Sequence, residues 1–283
     1  MACPACFNGF AHAGEPTGSE TTLGDLPAYY APSVGPAKGV ILYLTDVFGH
    51  KFVNHRLLAD TYGAAGFDVY VPDILQGAPV PADKLAFVDE DASGLLASVG
   101  RGCRMLGILP RMASFLWSHR EAATLPIVQA AAQSARAKAD EKGVQLGVVG
   151  FCFGGRYAMK LTELGFPRGP ADCDKDPPRC LVDVAVACHP SLVTRADIAA
   201  VGRPLLFCTP EHDNLMNAAA AAKAVETING NAGGRILASF VVYKGQEHGF
   251  SVRGPPASQE ARAKCAQDVT AFLTEKFASS SIK

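Results

Sequence analysis

The chain has 283 residues, 48% hydrophobic and 19% charged, with 26 basic against 27 acidic side chains. That length fits one large domain or two small ones, and so apolar and nearly neutral a composition excludes intrinsic disorder. The charge balance offers no footprint for nucleic acid, and no apolar run approaches the roughly 20 residues of a membrane span.

Residues 1–24 carry Gly, Pro, Thr and Ser without a hydrophobic period, and they lack the basic and apolar regions of a signal peptide. They read as an extended arm laid over a single domain of residues 25–283. A continuous apolar run at 39–45, ended by Asp46, suits a strand buried on both faces. Residues 54–65 place Leu57, Leu58 and Tyr62 at helical spacing, with Gly66 as the stop. The next strand is 67–71. Residues 82–142 hold helical stretches broken by Gly94, Gly100, Gly102, Pro110 and Pro126, the last stretch being 130–142. A strand at 144–149, a helix at 156–164 and a Pro- and Asp-rich loop at 165–180 follow. Three further strands are expected at 182–188, 204–208 and 236–243, and helices at 215–228 and 259–277. Strands alternating with helices predict an α/β fold, a mostly parallel sheet with helices on both faces. Ligands of such sheets bind beyond the C-terminal strand ends.

Directly after the 144–149 strand stands Gly150-Phe151-Cys152-Phe153-Gly154-Gly155, followed by a helix. This is the nucleophile-elbow pattern with cysteine in place of serine. A strained strand-to-helix turn projects the nucleophile above the sheet, and the flanking glycines allow close backbone approach. The Phe153 amide and the helix N-terminus then favour negative charge beside the sulfur. Asp213 follows the 204–208 strand, where an acid belongs, with Glu211 as its competitor. His248 follows the 236–243 strand, where a base belongs. The order nucleophile, acid, histidine is that of the elbow hydrolases. His189, in Ala187-Cys188-His189-Pro190, also follows a strand and reads as a pocket-lining or hydrogen-bonded residue. His50, His55 and His119 read as surface or structural residues and His212 as solvent-facing.

With the cysteine elbow, Asp213, His248-Gly249-Phe250 and Thr45-Asp46-Val47-Phe48-Gly49, the chain resembles the dienelactone hydrolase family of α/β-hydrolases over about residues 25–280. The arm with Cys3-Pro4-Ala5-Cys6 and the Gly14–Gly18 stretch resembles its fungal branch. The resemblance implies Cys152 as nucleophile, His248 as base and then acid, and Asp213 as its orienting partner. It implies an oxyanion hole of the Val47 and Phe153 amides. Asp46 stands where the family has a glutamate that helps ionise the thiol. Arg253 is the candidate for holding a substrate carboxylate, and Arg101, Arg104 and Arg111 compete for a second such role. Phe115 and Trp117 are candidates for the pocket wall.

Nine cysteines, an odd number and sparse for the length, read as thiols of a reduced cytoplasmic protein. Cys3 and Cys6, with Cys173 and Cys180, have spacings compatible with zinc or a disulfide but read as arm and loop thiols. Cys103, Cys188, Cys208 and Cys265 read as core fillers. The expectation is a hydrolase of a small lactone or activated ester working through a thioester. It would need no metal or organic cofactor and bind neither nucleic acid nor membrane. The alternatives are a lyase or isomerase using the same residues, and a non-catalytic or redox-sensing protein. Oligomeric state is not legible.

Overall fold

The computed structural model describes residues 10–80, 113–163 and 180–280. Among them an eight-stranded sheet runs in the order β1-β2-β4-β3-β5-β6-β7-β8. Its strands are β1 (Ser19–Leu23), β2 (Leu26–Ala31), β3 (Val40–Leu44), β4 (Asp68–Pro72), β5 (Leu146–Phe151), β6 (Val184–Cys188), β7 (Leu205–His212) and β8 (Ala238–Glu247). β1 pairs with β2, and β2 with β4, in antiparallel fashion; every pairing from β4 through β3 to β8 is parallel. The α/β expectation therefore holds, and all six strands predicted from periodicity are present.

The β1–β2 hairpin was not predicted. Residues 10–18 carry no helix or strand, whereas Ser19–Leu23, expected in the same extended segment, forms the edge strand. The turn is Gly24-Asp25 between the paired Leu23 and Leu26, with Gly24 at φ +59°, a backbone region that suits glycine.

The helices are α1 (Val53–Ala64), α2 (Glu121–Glu141), α3 (Phe153–Lys160), α4 (Arg195–Ala199), α5 (Ala218–Asn231), α6 (Phe250–Arg253) and α7 (Gln259–Ser280), with a further helical turn at 113–118. Pro126, expected to break a helix, lies inside α2. It sits in the second turn, where the missing amide forfeits a single bond to the Ala122 carbonyl. Helix α3 begins at Phe153, three residues earlier than its composition suggested, because the elbow itself nucleates it. The breakers Gly94, Gly100, Gly102 and Pro110 and the loop 165–179 lie outside the described residues, as do Cys3, Cys6, Cys103 and Cys173.

β5 is sandwiched at van der Waals contact on both faces. Gly147 abuts Leu273 and Phe277 of α7, and Gly150 abuts Gly154 and Ala158 of α3. A Cβ on Gly154 would lie 2.3 Å from the Leu44 carbonyl oxygen and 2.6 Å from that of Thr45. The outer side of α3 is anchored by charge. Arg156 Nε donates to Asp197 Oδ2 at 2.8 Å, Lys160 Nζ reaches Asp197 Oδ1 at 3.1 Å, and Arg156 also pairs with Glu121. Burial opposes ionisation of Asp197, but Arg156, the Thr194 amide and Lys160 outweigh it and hold the carboxyl at about 2.

Gly154→Ala is expected to destabilise the protein by about 3 kcal/mol, because the contacting atoms are backbone and cannot step aside. Urea unfolding measures this; a loss below about 1 kcal/mol would mean that α3 can shift freely against β3.

Candidate active site

Asp46, Cys152, His189, Asp213 and His248 each lie within two residues of the C-terminal end of a strand, on β3, β5, β6, β7 and β8 respectively. The parallel register brings these ends to one edge of the sheet. Cys152 adopts φ +49°, ψ −108°, a conformation that costs a non-glycine residue about 1–3 kcal/mol. Three hydrogen bonds hold it there. Cys152 N–H donates to the Cys188 carbonyl at 3.0 Å, and its own carbonyl accepts from Ser191 N–H at 3.0 Å and Gly155 N–H at 3.1 Å.

Cys152 Sγ lies 3.1 Å from His248 Nε2, and His248 Nδ1 lies 2.8 Å from Asp213 Oδ2. The other Asp213 oxygen accepts the Leu215 amide at 2.8 Å, which fixes the carboxylate plane. All three side chains are buried. Burial alone would lower the basicity of His248. The Cys152 sulfur's charge and the hydrogen bond to Asp213 outweigh that and push it up to about 9. Glu211, the competing acid, is exposed and accepts the Gly245 amide instead, and His212 is exposed beside it.

The amides of Val47 and Phe153 make no hydrogen bond to the protein among the described residues. Phe153 is the first residue of α3, where an N–H has no intrahelical partner.

Asp46 is buried and fully engaged. Oδ1 accepts Phe48 N–H at 2.9 Å and faces His55 Nε2 at 2.8 Å; Oδ2 accepts Arg253 Nε at 2.9 Å. None of its hydrogen bonds reaches Cys152. Burial opposes its charge, yet His55, Arg253 and the Phe48 amide hold the carboxyl well below the usual range. Behind it, Tyr43 Oη lies 2.8 Å from His55 Nδ1. Burial and the Asp46 charge push the phenol well up, so it keeps its proton and can donate it to His55.

Arg253, the carboxylate-holding candidate, is bound through its Nε to Asp46 at the same strand-end edge. It is 1% exposed, its Nε is committed to Asp46, and its guanidinium lies 5.3 Å from the Phe48 ring centre. Gly249, at φ +87°, makes room for it; a Cβ there would lie 2.7 Å from the Arg253 guanidinium carbon. Trp117 is 74% exposed, with the Arg120 guanidinium 5.3 Å from its ring centre. Two residues along a helical turn face nearly opposite ways, and Phe115 is the buried one, edge-on to Phe153 at 5.5 Å. His189 is buried, its Nε2 2.7 Å from Ser251 Oγ and its ring 5.0 Å from that of His248. Burial, followed by the charges of His248 and Arg253, drives its basicity well down. Arg101, Arg104 and Arg111 lie outside the described residues.

His50 pairs with Asp73, and His119 contacts the Phe115 and Leu75 carbonyls, so both are buried structural residues. The sequence reading missed the involvement of His55, Tyr43, Ser191 and Ser251. For His55 a signal existed: it is the third residue of the helix that follows the Thr45–Gly49 turn. Cys188, Cys208 and Cys265 sit in the hydrophobic core as expected, with their sulfurs within 4.8 Å of one another. Among the described residues they are the group close enough to share a metal ion.

The profile of the dienelactone hydrolase family matches residues 26–277. The chain belongs to the dienelactone hydrolase family. Membership makes it an enzyme of the ester- and lactone-hydrolase class. It is similar to hydrolase tropI of Talaromyces stipitatus, 28% identical over 261 residues that cover 91% of this chain and 88% of the relative. Hydrolase pyvD of Aspergillus violaceofuscus is 29% identical over 250 residues, covering 88% and 84%. These fungal relatives agree with the branch indicated by the N-terminal arm. A putative dienelactone hydrolase from Klebsiella pneumoniae shares the fold at TM-score 0.59 and 18% identity, covering 90% of this chain and 97% of its own. Esterase 2 of Thermogutta terrifontis does so at TM-score 0.60 and 14% identity, covering 93% and 96%. Among the described residues no helix is long and apolar enough to cross a membrane.

Arg253→Met is expected to cost about 3–5 kcal/mol at neutral pH, since it strands the buried Asp46 carboxylate. Asp46→Asn in the same chain should recover part of that. A carboxyl held low in the fold stabilises above its unfolded value near 4 and stops doing so as pH falls through its folded value. The Asp46→Asn variant should therefore show a shallower acid limb in unfolding curves than the wild type; an identical limb would count against the buried charge.

Proposed function

We propose that this dienelactone hydrolase family member cleaves a small lactone or activated carboxylic ester, with Cys152 as nucleophile and a thioester intermediate. The observation that carries the reading is the continuous chain from Cys152 Sγ through His248 to Asp213, at 3.1 and 2.8 Å. His248 Nε2 takes the thiol proton, and the resulting thiolate attacks the substrate carbonyl. The Val47 and Phe153 amides hold the oxyanion, and His248 returns the proton to the departing alkoxide or enolate. Acylation removes the negative charge from sulfur, and with it a principal influence that raises His248. The imidazole then becomes a base able to deprotonate the water that hydrolyses the thioester. Asp213 keeps the ring in the tautomer and orientation for both steps.

Asp46 contributes by holding the 46–49 turn: its bond to Phe48 N–H fixes the peptide next to Val47, and so the aim of the Val47 amide. Arg253 holds Asp46 through its Nε and stays the candidate for a substrate carboxylate through the rest of its guanidinium. A thiol nucleophile calls for a reducing compartment, which favours the cytoplasm. No metal or organic cofactor enters these steps.

The test is purified enzyme on a panel of lactones and aryl esters, with products identified by mass spectrometry. Cys152→Ala should lower kcat by at least about 1,000-fold, and a slow ester should leave an acyl mass on Cys152 in the wild type. Residual activity within about tenfold of wild type would reject the nucleophile.

The pH profile supplies a second check. His248 is protonated in the resting pair below about 9 and loses that proton above it. For esters with poor leaving groups, kcat/KM should fall as pH rises through about 9, because the departing alkoxide loses its acid. Aryl esters, whose leaving groups need no proton, should fall less.

A further inference from the structure

The segment that leaves β6 bends back over the elbow in an unusual backbone path. His189 stands at φ +38° and Leu192 at φ +60°, two non-glycine residues in the left-handed region within four positions. Such conformations persist only where surrounding contacts enforce them. Here the enforcing contact is with Cys152 itself: Ser191 N–H donates to the Cys152 carbonyl at 3.0 Å, and Pro190 packs against Gly155. The path brings Ser191 Oγ to 3.6 Å from Cys152 Sγ, where the hydroxyl can accept from the thiol and, once the sulfur is ionised, can rotate to donate to it. Ser191 is 4% exposed, and among the described residues its hydroxyl has no other hydrogen-bond partner.

We propose that Ser191 is a further catalytic residue, whose hydroxyl donates to Cys152 Sγ whenever that sulfur is anionic. This role rests on the nucleophile reading above. A neutral thiol has one proton, and the nearer acceptor for it is His248 Nε2 at 3.1 Å. Once that proton has moved to His248, the thiolate can only accept, and it accepts from two sides, the imidazolium N–H and the Ser191 O–H. The serine bond is therefore stronger to the charged form than to the thiol and favours ionisation. In the thioester the sulfur is neutral and a poor acceptor, so the bond weakens. When water has added and the tetrahedral intermediate collapses, the C–S bond breaks with its electron pair leaving on sulfur. Ser191 O–H is in place to receive that charge. It assists the nucleophile in both halves of the reaction without transferring its proton.

The test is the ultraviolet absorbance of the Cys152 thiolate against pH, each variant referenced to the same variant carrying Cys152→Ala. Ser191→Ala should raise the midpoint by roughly 0.5–1 pH unit, a three- to tenfold loss of thiolate at a fixed pH below it. Ser191→Thr, which keeps the hydroxyl, should hold the wild-type midpoint. Ser191→Gly removes the same hydroxyl with less bulk and is read in the same way should the alanine variant fold poorly. An unshifted midpoint in Ser191→Ala or Ser191→Gly overturns the proposal, as does a Ser191→Thr midpoint displaced as far as that of Ser191→Ala. The titration needs no substrate. An unshifted midpoint in an enzyme that still cleaves esters through Cys152 therefore rejects Ser191 alone. A wild type with neither a Cys152-dependent thiolate signal nor ester turnover rejects the nucleophile reading as well.

Discussion

The first turn of α3 rests directly on the end of β3. Gly154 N–H donates to the Thr45 carbonyl at 3.1 Å, and no side chain fits between the two backbones. Because β3 and β5 are adjacent parallel strands, this contact sets the height at which Cys152 stands relative to the 45–49 turn. The two amides proposed for the oxyanion, Val47 and Phe153, belong to the two pieces of backbone so joined. Glycines at 150 and 154 are thus a geometric condition on the chemistry. Widening the gap by one methyl group would separate the sulfur's helix from the turn that carries Val47.

A second constraint is electrostatic. The site buries a carboxylate at Asp46 and another at Asp213, a guanidinium at Arg253 and the imidazole of His248, and isolated charges in such surroundings would be prohibitively costly. Each is paired: Asp213 with His248, Asp46 with Arg253 and His55. Between the pairs stands His189, kept neutral by burial and by its cationic neighbours. A neutral ring there separates two positive groups without adding a third. Under the proposed mechanism the charge used in the reaction lies on the Cys152–His248 pair, while the Asp46–Arg253 pair braces the 46–49 turn.

The parallel core was legible because its strands are continuous apolar runs, and the elbow because only a few residue types satisfy so sharp a turn. Asp213 and His248 stood out because each follows a later strand in the expected order, and the structure brings both beside Cys152. The rest depended on three-dimensional partners. Arg253 suggested a carboxylate-binding role because it follows His248 closely in sequence. The turn made by Gly249 also sends its side chain inward to Asp46, and spacing carries no sign of that partner. His55 and Ser191 belong to a helix and a loop whose patterns look ordinary. Their involvement arises from where β3 and β6 end beside β5, a tertiary fact. Trp117 and Phe115 illustrate the same limit, since both are large and aromatic and only the orientation of one short helical turn separates surface from core.

The N-terminal segment adds a point about where this protein begins as a folding unit. Phe10 N–H donates to the Arg253 carbonyl at 2.9 Å, and the Asn54 side chain bonds the Phe10 carbonyl, the His12 amide and the Val252 carbonyl at 2.7–2.9 Å. Farther along, Thr17 N–H is held by Asp60 and Gly18 N–H by Tyr29. The arm works as a stitch, fastening the helix that carries His55 to the one that carries Arg253. A polypeptide started at residue 26, where the family resemblance starts, would lose that stitch together with β1. It would expose the hydrogen-bonding edge of β2 to solvent and to other chains, so its solubility would suffer before its chemistry did.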